Sequence, residues 1–339
     1  MAMLAQRQTG DLWATAPGSA TILRAVRVFR SVWFRAAVSA ALLSWLVARI
    51  DMDATVRSMA AITPSHLVTG LLLVALDRAL MITRWVMLIR RFERTISIRS
   101  AVWVFLVGAS VGHALPSGFG ADAVRAYALA QRTARGADAV GLVVVDRYLG
   151  VCSLALLAAM GLVLWSNQAV PELQQVSAVL AAAVVAGAAG LLWADRLLAL
   201  AARPRHEGNS LLVRAYGFAR TLGQYRRHGR LVAALLALSF VVQVTRVLQA
   251  YVFGLGLGID VAFSYYFAFM PVCILAALLP ISIAGVGVAQ GAMVALLRPV
   301  GVPDEQSFAL STILVLAALL SATPGALLLI RSRLAGARA

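Results

Sequence analysis

The chain has 339 residues, of which 61% are hydrophobic and only 13% are charged, and its formal net charge is +16. A soluble domain of this size carries about a quarter charged residues, so the composition excludes a cytosolic enzyme. The mean hydropathy is +0.86, and several apolar stretches reach the roughly 20 residues that cross a bilayer. The sequence therefore predicts an all-α polytopic membrane protein.

Six stretches are predicted to span the membrane, at residues 32–50, 66–90, 138–165, 173–194, 231–254 and 306–330. Two further apolar segments, 100–132 and 263–298, are interrupted by proline and glycine, which break helices when they are closely spaced. The predicted break residues are Pro116, Gly118 and Gly120 in the first segment and Pro280, Gly285 and Gly287 in the second.

The basic residues are all arginine, and most of them lie in polar segments beside the apolar stretches. The positive-inside rule places such segments on the cytoplasmic side, where they attract anionic lipid headgroups, so no nucleic-acid partner is predicted. The N-terminal segment 1–31, the 90–100 loop, the interfacial segment 195–230 and the tail 332–339 are therefore assigned to the cytoplasm. The loops 51–65, 166–175 and 255–262 are assigned to the outside.

This orientation requires the two broken segments each to enter and leave on one face, as re-entrant hairpins of opposite direction. The two halves of the chain also resemble each other: Thr83-Arg84 matches Thr245-Arg246 after 162 residues, and Leu115-Pro116 matches Leu279-Pro280 after 164. Inverted repeats with broken helices are typical of transporters. We therefore expect one membrane domain, 32–331, with repeats at about 66–165 and 231–330, although matches this short leave coincidence open.

Ionisable side chains are predicted near the middle of the membrane, where each costs at least about 2.5–3.5 kcal/mol. Asp77 lies about ten residues into its span, and Arg84 falls on the same helical face, whereas Arg78 points elsewhere. Five arginines face three aspartates, an excess of +2: Arg78, Arg84, Arg125, Arg147 and Arg246 against Asp77, Asp122 and Asp146.

Helices that restart after the breaks expose backbone N–H groups and the positive end of the helix dipole. Asp122 is placed to cap the first restart, and Gln290 is the polar side chain of the second. A polar, net positive cavity with two helix N-termini suits a phosphate-bearing headgroup. The alternative is that these groups pair internally and only lock the helix bundle. The cysteines and histidines form no cluster, so no metal or cofactor is predicted.

Residues 115–127, Leu-Pro-Ser-Gly-Phe-Gly-Ala-Asp-Ala-Val-Arg-Ala-Tyr, followed by Val145-Asp146-Arg147, resemble the signatures of the lysylphosphatidylglycerol synthase transmembrane, or flippase-like, region. Arg84-Trp85 and the segment 279–287 are similar to its other landmarks, so the resemblance covers about residues 30–330. It implies a membrane domain that moves phospholipids or other amphiphiles between leaflets.

Gln290 and His113 depart from the residues expected there, Glu and Asn. The aminoacyl-transferase domain of the full-length synthases is missing from the sequence, so lysyl transfer is not expected. Stand-alone relatives are associated with hopanoid or polyprenyl-linked pathways, which leaves the lipid open.

Three functions follow from these observations. In the leading one, a lipid translocator of a bacterial inner membrane, Arg84, Arg125, Arg147 and Arg246 hold an anionic headgroup, and the three aspartates orient them. The second is a polyprenyl-phosphate-dependent glycosyltransferase-like enzyme that uses Asp51 and Asp53, a pair read more simply as a solvated helix end. The third is a non-transporting subunit of a lipid-synthesis complex, docked through the segment 195–230. Monomer and homo-oligomer both stay open.

Overall fold

A computed structural model describes residues 32–93, 95–114, 120–132, 136–164, 229–278, 281–283 and 285–336, together with the single positions 175 and 182. These residues form ten α-helices and one short 3-10 turn, Arg298–Val300, and contain no strand. The all-α prediction is confirmed for this part of the chain. The helices are α1 Val32–Val47, α2 Met52–Ala60, α3 Pro64–Phe92, α4 Ile98–Ala114, α5 Gly120–Ala130, α6 Gly136–Leu164, α7 Gly229–Gly256, α8 Phe263–Leu278, α9 Val288–Leu297 and α10 Asp304–Gly336.

Among the described helices, three are long and apolar enough to cross a bilayer: α6, α7 and α10. The pair α1 and α2 passes the same test only as one unit, bent by 87°. Helix α3 has 29 residues and is therefore about 44 Å long at 1.5 Å per residue. Three charged side chains, Asp77, Arg78 and Arg84, interrupt its apolar middle, and Arg90 and Arg91 lie in its last turn. The predicted span 173–194 and nearly all of the segment 195–230 lie outside the described residues, so the count of six spans stays a prediction.

The region 51–65, predicted as a loop, contains the nine-residue helix α2. Asp51 caps this helix, because its carboxylate accepts a hydrogen bond of 2.9 Å from the backbone N–H of Ala54. Such caps stabilise a helix start by satisfying an orphan donor. The sequence suggested a loop because the helix is short and its polar and apolar residues alternate. Within α2, Thr55 is the buried residue.

Helices α4 and α5 fold back on each other as an antiparallel hairpin. Gly112 lies against Ala121 at the tip, and Gly108 lies against the side chain of Arg125 one turn away. Helices α8 and α9 form a second hairpin, in which Gly285 contacts Ala277 and Tyr265 donates to the carbonyl of Leu296. The second legs have 11 and 10 residues, about half of what a bilayer requires.

The break residues are only partly described. Gly120 begins α5, and Gly285 and Gly287 have φ angles of +80° and +87°, in the left-handed region that glycine adopts without strain. Pro116, Gly118 and Pro280 lie outside the described residues.

The hairpins are held between long helices. Helix α3 packs antiparallel to α7, with Gly70 against Phe253 and the side chain of Gln249 donating to the carbonyl of Leu73. Helix α4 packs against α10, and α8 packs against α6. This arrangement places the described ends of both hairpins beside the charged residues Asp77, Arg78 and Arg246 of α3 and α7.

Candidate functional site

A chain of five charges, four of them buried and the fifth half-buried, joins α3, α5 and α6. Arg84 lies 2.9 Å from one carboxylate oxygen of Asp146, and Arg125 lies 3.3 Å from the other. Arg125 also pairs with Asp122, whose second oxygen accepts from Arg147 Nε at 2.7 Å. The order is therefore Arg84, Asp146, Arg125, Asp122, Arg147, with the arginines in excess by one. We call these five residues the arginine cluster.

Local helix geometry explains how the cluster is assembled. Asp122 and Arg125 are three residues apart on α5 and share a face. Asp146 and Arg147 are consecutive on α6, so they point in different directions: Asp146 is 3% exposed and turns to Arg84 and Arg125, while Arg147 reaches Asp122 with a partly exposed side chain.

Two aromatic rings hold Arg125 from the sides. Its guanidinium carbon lies 5.1 Å from the ring centroid of Trp85 and 5.4 Å from that of Phe105. Both distances are within the range of cation–π attraction, which grows where water is excluded. Trp85 is fully buried and donates its indole N–H to the carbonyl of Ala101 at 3.0 Å. The central guanidinium of the cluster is therefore fixed in position before any ligand binds.

A second charged group lies between α3 and α7. Arg246 donates to Asp77 at 2.9 Å, and Asp77 is 5% exposed. Arg78 turns away, as predicted, and donates to the hydroxyl of Ser321 on α10 at 2.8 Å. The sequence placed Asp77 and Arg84 on one face of α3, but the structure gives them different partners, Arg246 and Asp146. Helical periodicity indicates the face of a side chain and not the helix opposite it.

Gln290 lies at the start of α9 in the second hairpin. Its side-chain oxygen accepts a hydrogen bond of 2.7 Å from the backbone N–H of Gly287, so it caps the restarted helix. Asp122, which was expected to cap the first restart, uses both carboxylate oxygens in ion pairs with guanidinium groups. The two hairpin tips therefore differ in chemistry, the first being charged and the second neutral.

Two cavities adjoin these groups. The arginine cavity, of about 320 Å³, is lined by Arg84, Arg125, Asp146, Arg147 and Arg246. The hairpin cavity, of about 400 Å³, is lined by residues of both hairpins and by α3, α7 and α10. Arg246, Ile274 and Leu278 line both cavities. The two spaces therefore meet at Arg246, between the charged cluster and the hairpin tips.

Sequence reasoning missed three polar residues of α7. Ser239 accepts a hydrogen bond of 2.9 Å from Arg84, and Gln249 binds the backbone of α3. Gln243 donates to the carbonyl of Gly150 on α6 at 3.2 Å, and its buried oxygen has no hydrogen-bond partner in the described part of the chain. The signal in the sequence was that each is a single polar residue between apolar neighbours in a membrane span.

The arrangement favours an anion over a metal ion or a cation. Taking both charged groups together, five guanidinium groups face three carboxylates, as predicted, and the surplus positive charge lies beside a cavity. Within the described residues, no group of three or more His, Cys, Asp or Glu side chains comes together to hold a metal ion. A phosphate or carboxylate of a ligand would compensate the surplus and accept hydrogen bonds in a planar, bidentate geometry that suits arginine.

The fold and the site define a helical membrane protein with an arginine-rich interior. Residues 32–327 match the family model described as Lysylphosphatidylglycerol synthase TM region, and the chain belongs to that family. This match confirms the resemblance read from the residues 115–127 and from Asp146-Arg147. A search of curated proteins finds no match.

Proposed function

We propose that the protein is a flippase-like transporter that moves an amphiphile with an anionic headgroup across a bacterial inner membrane. The observation that carries this proposal is the arginine cluster, in which three guanidinium groups share two carboxylates beside a cavity of about 320 Å³. A purely structural network would be expected to balance its charges, because an uncompensated buried charge is costly.

Reciprocal contacts between α3 and α7 support an inverted repeat. Arg84 binds Ser239, and Arg246 binds Asp77. Ser239 lies seven residues before Arg246, and Asp77 lies seven residues before Arg84. Exchanging the two halves of the chain, 162 residues apart, therefore converts one contact into the other, as expected for two helices related by a twofold axis.

Two close helix crossings repeat in the same way. A Cβ atom added to Gly161 of α6 would collide with the backbone of Phe267 on α8, and one added to Gly325 of α10 would collide with the backbone of Leu106 on α4. The glycines are 164 residues apart and their partners 161 residues apart. Such crossings let helices approach closely, and their recurrence extends the relation to the hairpins.

The cavities follow the same relation. Gly150, Val151 and Leu154 of α6 line the arginine cavity, and the residues 164 positions later line the hairpin cavity. These later residues are Leu314, Val315 and Ala318. Two repeat-related cavities that share Arg246 provide a path with a charged half and a more apolar half, which supports the transport of an amphiphile rather than of a small ion.

In the proposed mechanism, Arg84, Arg125, Arg147 and Arg246 bind the headgroup, and Asp77, Asp122 and Asp146 orient them. The short second legs of the hairpins suit re-entrant segments that enter the bilayer from opposite sides. Both termini are placed in the cytoplasm by the arginine distribution. The cargo is a phospholipid, a hopanoid or a polyprenyl-linked lipid with an anionic or modified headgroup.

The enzyme alternative rests on Asp51 and Asp53. Asp51 serves as the cap of α2 and lies 3.9 Å from Arg57, which accounts for one of the two carboxylates without catalysis. The third alternative, a non-transporting subunit docked through segment 195–230, rests on the sequence alone.

The test is lipid scrambling in proteoliposomes, measured by dithionite quenching of fluorescent anionic and zwitterionic lipids. We expect the protein to accelerate the exchange of anionic lipids between leaflets relative to protein-free vesicles. If neither the panel nor vesicles made from the total lipid of a bacterial membrane show any acceleration, the transporter proposal is wrong and the subunit alternative gains.

A further inference from the structure

One face of α3 carries an apolar stripe that ends in a charge. Leu67, Leu71, Val74 and Arg78 follow one another at spacings of four, three and four residues, so they lie in a row along the helix. Arg78 and its neighbour Asp77 line the hairpin cavity, as does Val74. The row therefore leads from the end of α3 near α2 to the charged interior.

An apolar groove of about 420 Å³ lies at the outer end of this row, between α2, α3, α7 and α10. We call it the outer groove. Leu67 is 44% exposed, and Leu316 and Leu320 of α10 are 52% and 53% exposed, so the groove is open to the surroundings of the molecule. Its lining includes Leu67, Leu71, Phe253, Ile313, Leu316 and Leu320.

The outer groove and the hairpin cavity are neighbours along α10 as well. Ile313, Ala317 and Leu320 line the groove, and the next residues in sequence, Leu314, Ala318 and Ser321, line the cavity. We call the outer groove and the adjoining hairpin cavity together the crevice between α3 and α10. An extended ligand in this crevice would contact leucine side chains at one end and Arg78, Arg246 and Asp77 at the other. This arrangement of apolar and charged side chains is complementary to a lipid in which one acyl or prenyl chain is attached to an anionic headgroup.

The inverted repeat relates this crevice to a second helix pair. Its counterpart is the contact of α6 with α7, where Gln243 donates to Gly150 and Ser153. Between α3 and α10, Arg78 donates a hydrogen bond to Ser321, and both residues line the hairpin cavity.

We propose that the crevice between α3 and α10 is the lateral entrance of the transporter, with the lipid chain in the outer groove and the anionic headgroup at Arg78 and Arg246. This inference rests on the proposed function. The end of α3 that forms the groove lies on the predicted outer side, so the entrance serves the outer leaflet. Because Arg78 donates to Ser321, this hydrogen bond must break when Arg78 binds the headgroup.

Photolabelling of the wild-type protein tests the groove without any substitution. The probe is phosphatidylglycerol with a diazirine on one acyl chain, added to phosphatidylcholine vesicles in increasing mole fraction, and the adducts are mapped by mass spectrometry. We expect adducts on Leu71 and Ile313 that saturate with mole fraction, whereas labelling of lipid-facing Leu72, which is 65% exposed, rises linearly. Linear labelling at all of these positions would overturn the proposal.

Filling the groove provides the matched test. We expect Leu71→Trp to abolish saturable labelling and to slow scrambling at least about tenfold, because an enlarged side chain leaves no room for the chain. Leu72→Trp makes the same change one residue away and should behave as wild type. If the wild-type protein shows saturable labelling but no scrambling, lipid binding in the outer groove is supported and transport is refuted. If Leu71→Trp scrambles lipid as fast as the wild type, the role of the outer groove as the entrance is refuted and transport is supported.

Discussion

At the scale of single residues, the structure is organised by how each buried carboxylate divides its two oxygens. Asp146 gives one oxygen to Arg84 and one to Arg125, and Asp122 does the same for Arg125 and Arg147. Only Arg125 serves both carboxylates, so each carboxylate would keep another arginine if Arg125 were removed. Removal of Arg125 should therefore affect chiefly the binding of the ligand, whereas removal of a carboxylate should affect the stability of the fold.

Asp146 is a residue whose loss should affect the stability of the fold. Replacing Asp146 with Asn leaves Arg84 without a charged partner and leaves Arg125 with Asp122 alone, at a position where the Asp146 side chain is 4% exposed. Removal of one member of a buried ion pair costs about 3–5 kcal/mol. We expect Asp146→Asn to lower the thermal unfolding temperature of the purified protein sharply. Asp53→Asn, an exposed change of the same kind, should leave it unaltered, and equal stability of the two variants would contradict the ion-pair description.

The sequence identified the members of the cluster but not their pairing. Charged residues in apolar spans stand out because of their cost, and Asp146-Arg147 and Asp122 stood out in this way. The partner of Arg84 is on another helix, 62 positions along the chain, and no periodicity within α3 could indicate it. Phe105 appeared as an ordinary apolar residue, and Trp85 was noted only as part of the Arg84-Trp85 landmark, so neither was expected to hold Arg125.

At the scale of helices, glycine determines where two elements touch. Gly161 and Gly325 lie directly against backbone atoms of the facing helix, which cannot turn aside as a side chain can. We expect Gly161→Ala and Gly325→Ala each to destabilise the protein by about 1–3 kcal/mol, measured by thermal or denaturant unfolding in detergent.

Gly291 of α9 provides the control for these substitutions, because a Cβ atom there meets no atom of another described element within 4 Å. Gly291→Ala should be neutral or stabilising by up to about 1 kcal/mol, since alanine favours the helix. A loss of stability at Gly291 that equals the loss at Gly161 and Gly325 would show that close packing is not the cause.

The long helices could be predicted because twenty apolar residues leave few alternatives to a span. The helix α2 could not, since nine residues with two charges match a loop equally well. Breaks after Ala114 and Leu278 were readable from proline and glycine, but the antiparallel contact of Gly112 with Ala121 depends on tertiary packing. Sequence patterns therefore predict the long helices and the breaks, whereas the contacts between helices are known only from the structure.

At the scale of the whole molecule, the re-entrant topology makes a prediction about sidedness. Asp260 precedes the second hairpin and Pro299 follows it, and both are exposed. With Cys152 and Cys273 replaced, Asp260→Cys and Pro299→Cys should both react with a membrane-impermeant maleimide added outside intact cells. Arg99→Cys and Gln131→Cys, which flank the first hairpin, should react only after permeabilisation. Opposite labelling within either pair would show that the hairpin crosses the membrane.

The central claim is that the arginine cluster binds the headgroup during transport, and the most direct test is the scrambling rate of Arg125→Gln. Asp122 keeps Arg147 and Asp146 keeps Arg84 in this variant, so it should fold as wild type by gel filtration. We expect scrambling of an anionic lipid to fall at least about tenfold, which corresponds to about 1.4 kcal/mol. Arg57→Gln, whose side chain is 72% exposed, should scramble as wild type. Undiminished scrambling by folded Arg125→Gln would contradict the account.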